Sequence, residues 1–141
     1  MITLTDFWMG RDRTHGTQLS TDIRRNADTT VEQVNKLLIL AKTAGVTFET
    51  NPRTGSLVAS GWRPPDINAG TPGAAAKSKH MTGQACDVYD PDGDLDDWLM
   101  TDDGQRALKD LGLWMEHPSA TKGWAHVQTV PPKSGRRVFY P

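Results

Sequence analysis

The chain has 141 residues, the size of one domain, which argues against separate cofactor and substrate lobes. Hydrophobic residues make up 36% before the 13 glycines are counted, a globular rather than a disordered composition. Its 16 Lys and Arg stand against 17 Asp and Glu for a net charge of -1, so there is no overall electrostatic footprint for nucleic acid.

A lone cysteine, Cys86, leaves no intrachain disulfide and no thiolate-rich zinc site. The N-terminus lacks a basic segment followed by an apolar one, and no run of about 18 apolar residues occurs. These features predict a protein made in the cytoplasm without a signal peptide and without stable membrane insertion, and a monomer is the expected state.

Residues 1–20 are mixed and polar and read as an irregular arm anchored by Phe7 and Trp8. Thr29 with Glu32 and Thr30 with Gln33 have capping-box spacing, which predicts a helix start there. Val31, Val34, Leu37, Leu38 and Ala41 continue it as one apolar stripe, and Gly45 ends it. Val46–Thr50 and Leu57–Trp62 flank the turn formers Asn51-Pro52-Arg53-Thr54-Gly55, so a hairpin is expected. Residues 64–79, rich in Pro, Gly and Ala, read as a long surface loop of the kind that lines sites.

Ala85–Tyr89 reads as a strand stopped by Asp90-Pro91-Asp92-Gly93. A helical stretch follows, with Thr101 or Asp102 capping a last helix that carries Ala107, Leu108 and Leu111 up to Gly112. Leu113–Glu116 and Trp124–Val127 read as two strands joined by a loop, ahead of a tail with Pro131, Pro132 and Gly135.

Any metal site must draw on His15, His80, His117 or His126. In Ser78-Lys79-His80-Met81-Thr82-Gly83-Gln84-Ala85-Cys86-Asp87, a His on a turn, a Gly that lets the chain bend and an Asp on the next strand could converge on one cation. By itself that spacing means little, since surface His and Asp are commoner than ligands. His126, on the alternating run Gly123-Trp124-Ala125-His126-Val127, offers a third ligand. Three protein ligands with a fourth position open are the pattern of a hydrolytic zinc centre.

The run Ser78–Asp87 is similar to the S-x-H-x-x-G-x-A-x-D signature of the zinc D-alanyl-D-alanine carboxypeptidase family. That family includes vancomycin-resistance D,D-dipeptidases and phage L-alanyl-D-glutamate endopeptidases. Ser60-Gly61-Trp62-Arg63 resembles its S-G-[YW]-R element, and Trp124-Ala125-His126 its closing W-x-H. The resemblance spans residues 60–128, about half the chain, as the active-site region of a single peptidase domain over 1–141.

It implies an α+β fold of the hedgehog/DD-peptidase kind, a small antiparallel sheet backed by helices. It also implies one zinc ion per chain held by His80, Asp87 and His126, an oxyanion stabilised by Arg63, and a substrate contact from Ser78. The implied substrate is the peptide stem of bacterial peptidoglycan, cut by a carboxypeptidase or endopeptidase. Small phage endolysins are the members it most resembles, and these reach the cell wall after membrane permeabilisation.

There is one departure. Many members carry the catalytic acid three residues before the third ligand, where this chain has Gly123. Glu116 is the nearest acid upstream, and pairing of its strand with Trp124–Val127 would set it beside His126 as general base. His117 would point to the opposite face and serve as a substrate contact or supporting residue. The rival from another class is a binding or assembly module that holds zinc without turnover. A calcium-binding structural protein built on Asp90, Asp92, Asp94, Asp96 and Asp97 explains fewer residues, because Gly93 is misplaced for a calcium loop. Lys133, Arg136 and Arg137 read as a solubilising tail, and Cys86 as a buried inert thiol facing away from Asp87.

Overall fold

The computed structural model describes all residues, Met1–Pro141. The arm at 1–20 is not irregular. Thr3 closes a capping box with Asp6 at the start of α1 (Leu4–Trp8), and Phe7 and Trp8 are buried on it. Met9 and Gly10, both at positive φ, turn the chain into α2 (Arg11–Thr14). Elements of four and five residues are too short to show a period, so only their two aromatic anchors were readable. Trp8 meets Trp62 edge to face at 5.8 Å, joining the arm to the body.

The long helix α3 (Thr21–Thr43) starts well before Thr29. Ser20 caps it by accepting from the Ile23 amide. Thr29 donates instead to the Arg25 carbonyl, and Thr30 to that of Gly83, so both hydroxyls act from within the helix. The apolar stripe lies as expected, with Val34, Leu37, Leu38 and Ala41 fully buried.

No hairpin forms across 46–62. Asn51 does organise a turn, accepting from the Thr54 and Gly55 amides. Val46–Thr50 is not a strand, however, and β1 (Val58–Ser60) pairs with β2 (Ala85–Asp90) instead. A strand distant in sequence has taken the place of the local one. Within 64–79 a short helix, α4 (Pro65–Ala69), interrupts the loop.

Helices α5 (Asp94–Leu99) and α6 (Asp102–Leu111) follow, the second capped by Thr101 and stopped by left-handed Gly112 as its sequence predicts. Strands β3 (Trp114–Glu116), β4 (Gly123–Gln128) and β5 (Val138–Phe139) complete one sheet in the order β1-β2-β4-β3-β5. Neighbours are antiparallel except β3 and β5, which run parallel, so the sheet is mixed rather than purely antiparallel. The fold is thus α+β, a small sheet backed by helices.

Helices α3, α5 and α6 pack on one face of the sheet around Leu37, Leu95, Leu108 and Met115. Cys86 and Val88 enter that core from β2, which leaves Asp87 between them on the opposite face. Burial pushes the Cys86 thiol up, as expected of an inert core residue. No helix is long and apolar enough to cross a membrane.

Candidate metal centre

Strand alternation and register assemble the site. Asp87 on β2 is directly paired with His126 on β4, so both side chains stand on the open face. His80 arrives from the turn between Ser78 and Gly83. Gly83 sits at φ +74, where a Cβ would lie 3.0 Å from the Ile23 carbonyl oxygen, so the bend that brings His80 to Asp87 depends on glycine. Gly61 is tighter still, since a Cβ there would lie 2.1 Å from the Phe7 carbonyl oxygen.

One ligand atom from each of His80, Asp87 and His126 lies within 4.8 Å of the other two, and all three residues are buried. Asp87 Oδ1 is 3.3 Å from His80 Nε2 and 2.8 Å from His126 Nδ1. Tetrahedral bonds of about 2.0–2.1 Å set ligand atoms about 3.3 Å apart, so the spacing suits a cation. The far nitrogens are also held. His80 Nδ1 is 2.8 Å from the Gly61 carbonyl and His126 Nε2 is 2.9 Å from Gln128 Oε1. Donation to those oxygens leaves His80 Nε2, and His126 Nδ1 once that ring has lost its second proton, as the acceptor nitrogens facing Asp87, the tautomers a metal requires. This buried His-Asp-His group could therefore hold a metal ion.

Burial opposes charge on Asp87, yet the two imidazoles, His80 foremost, hold its carboxyl well below the usual range. Burial likewise opposes charge on His126. Its hydrogen bond to Asp87, the Asp87 and Glu116 charges and the Gln128 contact outweigh that and push it up to about 9.

Glu116 closes β3 one residue beyond the Met115–Val127 pair, and its Oε1 lies 3.9 Å from His126 Nε2. Burial raises its carboxyl above the usual range. Arg63 donates through Nε to Asn68 Oδ1 at 3.0 Å and through Nη2 to Ser78 Oγ at 3.1 Å. Ser78 Oγ also accepts from the His80 amide, so it links Arg63 to the metal-ligand turn. Arg63, Ser78, His80, Asp87, Glu116 and His126 all line one cleft of about 850 Å³.

His117 does not join them. Its ring stacks on Tyr140 at 4.7 Å and its Nδ1 contacts Ser119, outside the cleft lining. In the Asp-rich turn, Asp90 accepts from the Leu95 and Asp96 amides and Asp96 from Thr121, so these carboxylates stitch α5 in place. Arg137 of the basic tail packs over Trp114.

Several residues of the cleft had no signal or an unused one. Gln128 stands two residues after His126 on the same strand face, a relation the period of two does expose. Arg11, from α2, and Phe139, whose ring lies 6.2 Å from that of His126, reach the cleft only through the tertiary fold. Comparison with protein-family models, curated proteins and solved structures returns no match to the chain. The site therefore stands on its own geometry.

Proposed function

We propose that the protein is a zinc-dependent hydrolase of amide bonds in the peptide stems of bacterial peptidoglycan, acting on the wall once the membrane has been permeabilised. The observation that carries this reading is the gathering of His80, Asp87 and His126 in one cleft with a single further acidic side chain, Glu116, and the anchored guanidinium of Arg63. The likeness of Ser60–Arg63, Ser78–Asp87 and Trp124–His126 to zinc D-alanyl-D-alanine carboxypeptidases supports the choice of metal and substrate.

When bound with a coordination position open, zinc supplies Lewis acidity toward a carbonyl oxygen and toward water. The protein's own groups then have distinct tasks. Glu116, its carboxyl made more basic by burial, accepts a proton from the water whose oxygen bonds to the amide carbon. Arg63 is held by Asn68 and Ser78 and keeps its remaining N–H groups for the oxygen on which negative charge develops. As the C–N bond breaks, the proton on Glu116 passes to the departing amine, leaving a carboxylate and an amine.

Gly123, at the position where many members of the resembled family carry an acid, favours one second reading, a module of the same fold that holds zinc without turnover. Incubation of the zinc-loaded protein with purified peptidoglycan, followed by mass spectrometry of the soluble products, separates the two. Hydrolysis leaves matched new amino and carboxyl ends within stem peptides and identifies the bond cut. An intact wall around a folded, zinc-bound protein supports the module.

A further inference from the structure

Charge is unevenly distributed around the cleft. Arg11, Arg53, Arg63, Lys77 and Lys79 line it, whereas its only acidic side chains are Asp87 and Glu116, both already engaged in the centre. Since the whole chain carries 16 basic and 17 acidic side chains, the rest of the molecule is net acidic. Like most of the cations elsewhere, of which only Arg25, Lys36 and Arg106 pair with an acid, none of the five cleft cations has a carboxylate within 4.0 Å, so what sets them apart is their convergence on one cleft.

Arg11 is the most telling of them. It is half-buried, and its Nη1 donates to the Trp62 carbonyl at 2.8 Å, the one hydrogen bond its side chain makes to the protein. That carbonyl immediately precedes Arg63, so two guanidinium groups are drawn together on one wall. Burial first, and then the charge of Arg63, lower the Arg11 pKa. Two like charges partly removed from water destabilise the site unless an anion meets them. A planar fork with free N–H groups matches a carboxylate in two parallel hydrogen bonds.

We propose that Arg11 is a specificity-determining residue that receives a free carboxylate of the substrate, so that the cleft selects an anionic peptide whose acid flanks the amide being cut. This rests on the hydrolase reading and narrows it. Stem peptides fit the requirement through the α-carboxylate of their γ-linked D-Glu, and amidation of that group removes the feature Arg11 reads.

Calorimetric binding in a zinc-loaded Glu116→Gln background, where peptides survive, tests the idea. One probe pair is L-Ala-γ-D-Glu-L-Lys with its α-carboxylate free or as carboxamide. The other is the blocked tripeptide Ala-Glu-Ala against Ala-Gln-Ala. The acid of each pair should bind about tenfold more tightly than the amide, as a charge-assisted bidentate contact provides. Adding Arg11→Gln should bring the acid-to-amide ratio to about one. Arg11→Lys keeps a cation and a donor to Trp62 and should give an intermediate ratio, which carries the test if the Gln variant does not fold. An undiminished ratio in these variants, or no acid preference before them, overturns the proposal. An Arg11-dependent preference for Ala-Glu-Ala with neither stem form bound keeps the proposal and sinks the peptidoglycan reading. Binding of no probe at all sinks both.

Discussion

Asp87 Oδ1 lies 2.8 Å from His126 Nδ1 across directly paired residues of β2 and β4, and 3.3 Å from His80 Nε2. One carboxylate oxygen thus meets two imidazoles whose other nitrogens are tied to Gly61 and Gln128. Supporting contacts of that kind fix ring orientation before any ion arrives and set which nitrogen keeps its proton once the ring is neutral.

Substituting a ligand and substituting its support should therefore differ in degree. His80→Ala, Asp87→Ala and His126→Ala are each expected to leave the purified protein without stoichiometric metal by elemental analysis. Gln128→Ala should retain the ion with affinity weakened about 10- to 100-fold, as loss of a supporting hydrogen bond typically costs. Full occupancy in any of the three Ala variants would remove that residue from the centre.

Proton release provides a second check. With its pKa raised to about 9, His126 is protonated at neutral pH and must lose that proton before Nδ1 can take a cation. Raised above its unfolded value, the group lends stability below the ordinary imidazole range that is lost as pH rises through about 9. Calorimetry of zinc binding at neutral pH, in buffers of different ionisation enthalpy, should show about one proton released per ion from this group. Metal uptake without proton release would mean that His126 is not a ligand.

Much of this site was legible in the sequence because its geometry follows local rules. Asp87 and His126 sit on strands whose alternation sets them opposite the core residues Cys86 and Val127, and Thr101 and Gly112 mark both ends of α6. Legibility failed where long-range contacts decide. The first turns of α3 are mostly polar and set only Ile23 and Ala27 against the core ahead of Thr30, so Ser20 was hidden behind the capping-box spacing of Thr29 and Thr30. Val58 and Ser60 found partners in Val88 and Asp87 rather than in the nearby run 46–50. Val138–Phe139 is too short for a pattern and forms a strand only because β3 offers an edge. Arg11 lies far from the motifs and meets the cleft through its bond to Trp62.

Glu116→Gln preserves shape while removing the proton acceptor. Loss of a general base typically lowers the rate about 10²- to 10⁴-fold, and the ion should stay bound because Glu116 is not among the three ligands. Rates on peptidoglycan, with metal content measured on the same preparation, check this. A folded, metal-bound variant close to the parent rate would acquit Glu116.

Asp96 should make the fold sensitive to pH on its own account. It is buried, its Oδ1 has no hydrogen-bond partner, and burial pushes its carboxyl up to about 7 despite the Thr121 hydroxyl. A raised carboxyl pKa means that the folded state holds the proton more tightly, so stability is greatest below the unfolded value and falls as pH rises through about 7. Asp96→Asn removes the titration. Relative to the parent, its Tm should gain between about pH 5 and about pH 8, and parallel pH profiles would contradict the assignment.

The central claim is that an ion held by His80, Asp87 and His126 makes this cleft a peptidoglycan hydrolase. Zinc titration into chelator-treated protein, read as the initial rate at which new amino groups appear in purified peptidoglycan, tests it directly. The rate should rise from background and saturate at one equivalent of zinc per chain, and stay at background in His126→Ala. Hydrolysis undiminished by the chelator, or no hydrolysis at full zinc occupancy, would contradict it.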